Sequence, residues 1–391
     1  MSVVEADHET DHELRRYNER RMIWTVLAIW VGSRIAVALV SLVGAHSSLD
    51  RPRSAVPDFL TIWNRWDVQL FAKIAHWGYF DNGVHYPDQH VIAFFPGESL
   101  VLRAVHLFLP SWVGAGLLIS FVAGGIACVA LAKLVLLETG SFIAARNSVI
   151  FLVLSPFALF LFAGYSESLF LALATTGWLC ARQRNWVPAG LLIGYAAAVR
   201  ITGLFLAVAL VVEYISTRRR DNKPIIAFDA LPTLIPFASI GLYFSYLHAK
   251  TNDWNAWQHA QRAGWYREFT MPWTALKVTW QYAWSQTINT DLTLSFFADT
   301  VMVFIGIALA VVLLSKRRWS QAIYVALGVG ALATSTYYFS VSRSALLWFP
   351  AWLLLAEWSI KRRWLLPAWA YVCAPIMGAY VVSFTNGRWV N

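Results

Sequence analysis

Charged side chains are scarce in this chain. Asp, Glu, Lys and Arg make up 14% of its 391 residues, where a soluble domain carries about 25%. That shortage excludes an ordinary water-soluble globule of this length. Cysteine is equally sparse: Cys128, Cys180 and Cys373 each lie inside an apolar run. They form neither a disulfide framework nor a metal-ligand spacing, and read as small core residues. No nucleotide-binding glycine fingerprint is present. A cleavable leader is not expected, because the first 21 residues are charged and no small-residue cleavage site follows the first apolar run. Acidic residues are outnumbered by basic ones, 22 to 31, for a net charge of +9. The basic residues fall in short clusters between apolar runs, which membrane topology explains and nucleic-acid binding does not.

What the chain has instead is hydrophobicity, 58% of residues, with a mean hydropathy of +0.52. After a polar tail (1–21), the first apolar run, 22–43, has the length a hydrocarbon core requires. A second covers 112–136, preceded by a shorter helix over 98–109. Further runs follow at 147–164, 168–181, 187–199, 202–217, 230–248, 293–315, 320–339, 344–359 and 364–385. The expectation is an all-α polytopic membrane protein with about 11 spans in a single domain, 22–391, with 187–217 split in two near Arg200.

Topology tests this segmentation. With the N-terminus inside, 18 of the Lys and Arg residues fall in short cytoplasmic connections and 12 on the far side, with Arg34 inside the first span. This is the bias of cytoplasmic loops, and it requires the split near Arg200. Two long loops, 45–97 and 249–292, then lie on the outer face. Connections this long are more often functional than incidental. Within the first, the stretch from Trp63 to Gly97 carries Arg65, Asp67, Lys73, Asp81, Asp88 and three histidines, interleaved with seven Trp, Phe and Tyr residues from Trp63 to Tyr86. The second, also Trp-rich and mixed in charge, reads as an amphipathic helix in the interface plane.

Several motifs in these segments resemble one family. RWDVQLFAKIAHWGY (65–79) with AFFP (93–96), SPFALFLFAGYSESLFLAL (155–173), AAAVRITGLF (196–205), SRSALLWFP (342–350) and SFTNGRWVN (383–391) resemble, in order, the conserved segments of the GPI mannosyltransferase II (PIG-V type) family. These are integral-membrane glycosyltransferases of the GT-C class. The chain departs from the family pattern where Ile92 precedes Ala93, where Gly97-Glu98-Ser99 follows Pro96, and where Thr202 replaces a common Asn.

The resemblance implies a GT-C helical bundle whose general base is a carboxylate of the first outer loop, here Asp67. In such a reaction an acceptor hydroxyl must lose its proton as it attacks an anomeric carbon, and a carboxylate within reach can take it. The competing role for Asp67 is a pair with Arg65 or Lys73 that only holds the loop. Arg65 is also a candidate substrate-binding cation. Arg200 interrupts an apolar stretch, where charge is costly unless paired or used; a guanidinium there suits a donor phosphate, and snorkelling is the alternative. Arg343 is a second phosphate candidate. Glu167 would bind sugar hydroxyls, orient Arg200 or replace Asp67 as base, unless it merely decorates a helix N-terminus capped by Ser166 or Ser168. His259, with Arg262, is the second loop's candidate for approaching a lipid phosphate. His76, His85 and His90 with Asp81 and Asp88 form no compact metal motif; no cofactor is expected, although a divalent metal is compatible. Tyr79, Phe94, Phe95 and Trp254 are expected to pack the loops onto the bundle.

The expected activity is inverting transfer of mannose from a polyprenyl-phosphate donor to a glycolipid or glycan hydroxyl, giving an α-mannoside. Arabinofuranosyl and glucosyl donors are the alternatives, and a lipid or solute transporter the different class. A transporter predicts inverted repeats, and none is seen. The expected setting is a bacterial plasma membrane with the site on the outer face, or the ER membrane in a eukaryote.

Overall fold

The computed structural model describes residues 3–46, 58–80, 90–285 and 290–390. It is an all-α polytopic membrane bundle. Among the described residues there is no sheet, and a single isolated bridge joins Phe269 to Ser335. Five helical stretches are long and apolar enough to cross a membrane: Asn18–His46, Trp112–Thr139, Phe228–Thr251, Leu292–Ser315 and Leu365–Thr385.

In chain order the helices are α1 (Val3–His46), α2 (Phe59–Trp63), α3 (Asp67–Trp77), α4 (Pro96–His106), α5 (Trp112–Thr139), α6 (Phe142–Val153), α7 (Ser166–Arg182), α8 (Trp186–Val199), α9 (Thr202–Arg220), α10 (Ile235–Thr251), α11 (Ala256–Trp265), α12 (Pro272–Ala283), α13 (Thr290–Ser315), α14 (Trp319–Ala333), α15 (Val341–Ser344), α16 (Phe349–Lys361) and α17 (Leu365–Thr385). The apolar runs not among the five long stretches become the shorter helices α6, α7, α8, α9, α14 and α16. The described parts of the two long loops carry helices, with α2, α3 and the start of α4 in the first and α11 and α12 in the second.

Local chemistry sets the boundaries. Ser111 caps α5 by accepting from Gly114 N at 3.1 Å, and Gly140 ends it in the left-handed conformation at φ 65. Ser141 then caps α6, so two residues turn the chain back on itself. The expected split near Arg200 is present. Arg200 is extended between α8 and α9, and Gly203 N bonds to Arg200 O at 2.9 Å. A Cβ at Gly203 would lie 2.3 Å from Ala197 Cα, so this turn admits only glycine.

The run 147–164 departs from the expected span. α6 ends at Val153, and 154–165 is buried but irregular apart from a 3₁₀ turn at Ala158–Leu161. Irregular backbone at membrane depth must find partners inside the protein. Arg34, fully buried in α1, donates to Ala158 O at 2.7 Å and Val153 O at 3.4 Å. Ser168 donates to Leu161 O at 2.8 Å and Ser120 to Tyr165 O at 3.4 Å. These bonds account for the intramembrane Arg34 and fix the segment that delivers Glu167.

The opposite ends of the same helices are laced by ion pairs. Arg182 Nη1 meets Glu213 Oε1 at 2.7 Å, and Lys316 meets Glu357 at 3.2 Å. Ser320 Oγ donates to Glu213 Oε2 at 2.5 Å. With Glu167 at one end of α7 and Arg182 at the other, the two polar clusters stand about 22 Å apart, at 1.5 Å per helical residue.

Candidate active site

At the loop end of the bundle, four residues from four separate segments form one chain of charges. Arg343 Nη1 lies 2.7 Å from Asp67 Oδ2. The Nε of the same guanidinium bonds Glu167 Oε1. Arg200 Nη1 bonds that oxygen at 2.8 Å and Ser166 Oγ at 2.8 Å. Glu167 is fully buried; the Asp67, Arg200 and Arg343 side chains are 16%, 20% and 11% exposed. Asp67, Arg200 and Arg343 line a cavity of about 150 Å³, with Ser166 and Ser340 on its polar wall and Phe71, Phe94, Phe95, Trp265 and Trp389 on its apolar one.

Each member is positioned by its own element. Asp67 opens α3 directly after Trp66, whose φ is 42. That conformation is strained for a bulky residue. It is held by Trp66 packing edge-on against Phe384 and Trp389, with centroids 5.1 and 5.3 Å away. Arg343 sits in the short α15, entered through Ser340 at φ 59. Asp299, buried in α13, anchors that turn by accepting from Ser342 N at 2.8 Å and Ser342 Oγ at 2.6 Å. The Arg343 guanidinium also lies 4.4 Å from the Tyr165 ring centroid. Burial works against its charge, but Glu167 and then Asp67 outweigh it and hold this guanidinium above its ordinary pKa.

The helix-cap role of the serines beside Glu167 is not what is seen. Tyr165 is the N-cap residue and makes no side-chain cap bond, while Ser166 accepts from Arg200 and Ser168 serves the irregular segment before α7. Asp67 pairs with neither Arg65 nor Lys73 among the described contacts; its partner is Arg343. Its other oxygen, Oδ1, makes none of the described bonds.

Two other nominated residues lie elsewhere. Arg65 is not in the cavity lining; its Nη2 donates to Thr385 O at 3.2 Å, tying the first loop to the end of α17. His259 points its Nδ1 to Asp253 Oδ2 at 2.8 Å, and its side chain is 67% exposed. Arg262 pairs with Glu268 at 2.5 Å. The second loop reaches the cavity through Gln261, Trp265 and Arg267 instead.

Arg267 was not singled out from the sequence. It lies between aromatic neighbours in a loop with other cations, and only its partner in a distant segment, the Phe339 carbonyl 2.9 Å from Nη2, separates it from them. The signal available was the aromatic bracket of Tyr266 and Phe269 around a single Arg. In the sequence Glu98 stands out only as part of the departure from the family pattern after Pro96. It is 1% exposed, and neither carboxyl oxygen has a hydrogen-bond partner among the described residues. Burial, reinforced by Glu167 and partly offset by Arg200, pushes its carboxyl well above the ordinary range. Its neighbours pack: a Cβ at Gly97 would meet Ala198 O at 2.7 Å, and Ser99 Oγ donates to Phe71 O at 3.2 Å.

The aromatic residues behave as expected in part. Tyr79 Oη donates to Phe94 O at 2.8 Å, and Phe95 packs 4.8 Å from Tyr243; Phe94 and Phe95 also line the cavity. Trp254 stacks on His248 at 4.1 Å and is 61% exposed. His76 stacks between Trp77 and Trp112, and His90 meets the edge of Trp265. Among the described residues no group of three or more His, Cys, Asp or Glu is placed to hold a metal; Asp81, His85 and Asp88 lie outside the described residues. The three cysteines are free thiols.

No family model matches the chain. Over 153 residues it is 35% identical to GPI alpha-1,6-mannosyltransferase 2 of Cricetulus griseus, 34% to that of Mus musculus and 35% to that of Rattus norvegicus. The match covers 36% of this chain and 29% of each relative. The chain is thus a distant relative of mannosyltransferases, similar to them over little more than a third of its length.

Proposed function

We propose that this protein is a membrane glycosyltransferase that moves mannose from a polyprenyl-phosphate donor to a hydroxyl of a glycolipid or glycan. One observation carries the reading: a carboxylate with an uncommitted oxygen, Asp67 Oδ1, shares a small cavity with several arginines at the loop end of a membrane bundle. The acceptor oxygen attacks the anomeric carbon and forms the new C–O bond. The bond from that carbon to the phosphate oxygen breaks, its electron pair leaving with the phosphate. The hydroxyl proton passes to Asp67. Attack opposite the leaving group inverts the centre and yields an α-mannoside from a β-linked donor. Arg343 orients Asp67 through Oδ2, and Glu167 holds Arg343 and Arg200 at the cavity wall, where fixed positive charge stabilises a phosphate developing negative charge. We place the cavity on the non-cytoplasmic face of a plasma membrane, in a bacterial cell envelope, because the basic clusters lie at the opposite end of the bundle. The donor is then lipid-linked rather than a cytoplasmic nucleotide sugar, and the acceptor an envelope glycolipid or glycan.

The test is a donor panel offered to the purified protein in liposomes: polyprenyl-phosphate mannose, arabinofuranose and glucose, with a lipid-linked acceptor extract. Mannosyl product is the expected result. Product from another sugar alone would reassign the donor, and movement of lipid or solute with no covalent product would replace the transferase by a transporter.

A further inference from the structure

The charges of the cavity do not cancel. Asp67 and Glu167 are matched by Arg343 and Arg200, which they bond. Arg267 is left over. It has no carboxylate within ion-pair distance among the described residues, and its nearest acidic influence, Asp299, is already engaged by Ser342. Its one described hydrogen bond is to a neutral carbonyl, Phe339 O. Its Nε is shut off from solvent with no acceptor among the described residues. Burial, with Arg200 and Arg343 adding repulsion against the pull of Tyr337 and Asp299, lowers the pKa of this guanidinium.

A buried guanidinium with an empty donor is costly to keep, yet the fold spends several contacts holding it there. Tyr266, at φ 53, turns the chain immediately before it. Tyr337 Oη donates to Trp265 O at 3.0 Å, Glu268 N to Thr336 Oγ1 at 2.9 Å and Thr270 N to Thr334 O at 2.7 Å. The connector after α11 is thereby fastened along the 334–339 segment, with Arg267 at the cavity wall.

We infer that Arg267 is the anion-docking residue of the cavity, receiving the oxygens of a phosphate ester, while Arg200 and Arg343, bonded to the carboxylates, hold fixed positive charge beside it. The planar fork of an arginine suits two phosphate oxygens at once. The inference rests on the transferase reading for the identity of the phosphate, a lipid-linked donor, and on the geometry alone for the residue.

The test measures binding to the full chain in detergent by the fluorescence of the tryptophans, of which Trp265 and Trp389 line the cavity. The probes are farnesyl phosphate, farnesol and inorganic phosphate. Farnesyl phosphate should bind wild type at least tenfold more tightly than Arg267→Gln, with Arg267→Lys recovering part of the loss. His259→Gln, at an exposed position of the same loop that pairs with Asp253 and lies outside the cavity lining, should bind as wild type does. Displacement by inorganic phosphate assigns recognition to any phosphate; its failure to displace assigns it to the lipid ester. Equal affinity for wild type and a folded Arg267→Gln, or equal loss in His259→Gln, overturns the assignment, as does farnesol binding as tightly as its phosphate. If Arg267-dependent binding is found but no sugar is transferred from any polyprenyl phosphate, the docking residue stands and the transferase reading falls.

Discussion

Arg343 bonds Asp67 at 2.7 Å, joining the first loop of the chain to a turn near its end. The same guanidinium reaches Glu167, so one cation sets two acids with different jobs. Asp67 keeps one oxygen outside the described bonds, whereas Glu167 is wholly enclosed between the two arginines.

That division predicts different responses to truncation. Glu167→Gln leaves Arg343 and Arg200 short of a buried carboxylate and should destabilise the protein by about 3–5 kcal/mol, read as a lower unfolding midpoint in detergent. Asp67→Asn removes a partly exposed partner, and its midpoint should shift far less. Equal shifts would mean that Glu167 is not the hub of the cluster.

Arg34 should matter for stability although it lies away from the cavity. Arg34→Leu strips donors from the carbonyls of Ala158 and Val153, at a cost of about 2–3 kcal/mol. Arg34→Lys, which retains one donor, should recover part of that. Indifference to both substitutions would show that the irregular 154–165 segment is satisfied without it.

Glu98 predicts a pH dependence of fixed sign. Its folded carboxyl binds its proton more tightly than the unfolded one, whose pKa is about 4.3. Stability therefore falls as pH rises above that value, until the folded carboxyl also ionises. Glu98→Gln cannot ionise, so it should melt above wild type at pH 8, with the gap closing toward pH 4. A gap that widens on acidification would contradict the enclosed, partnerless carboxyl.

Much of this arrangement was legible in the sequence because each signal was local. Charge inside an apolar run marked Arg200, and the topology that needed a break there is matched by the extended residue between α8 and α9. Asp67, Glu167, Arg200 and Arg343 were each nominated separately, and the fold brings them together. What local patterns could not carry was pairing at a distance. Arg34 was unassignable because its partners are carbonyls in a segment that reads as one more apolar span. Arg65 and His259 looked like site residues by composition, yet each has a better-placed partner, Thr385 O and Asp253. Arg267 was invisible for the converse reason, since only the fastening of its loop to 334–339 brings it to the cavity.

Turnover of polyprenyl-phosphate mannose by wild type and Asp67→Asn, side by side in liposomes, tests the central claim most directly. Wild type should form an α-mannoside, and the variant, folded to the same midpoint, should be slower by 10²-fold or more, the contribution of a positioned general base. Near-normal turnover by folded Asp67→Asn would contradict the account.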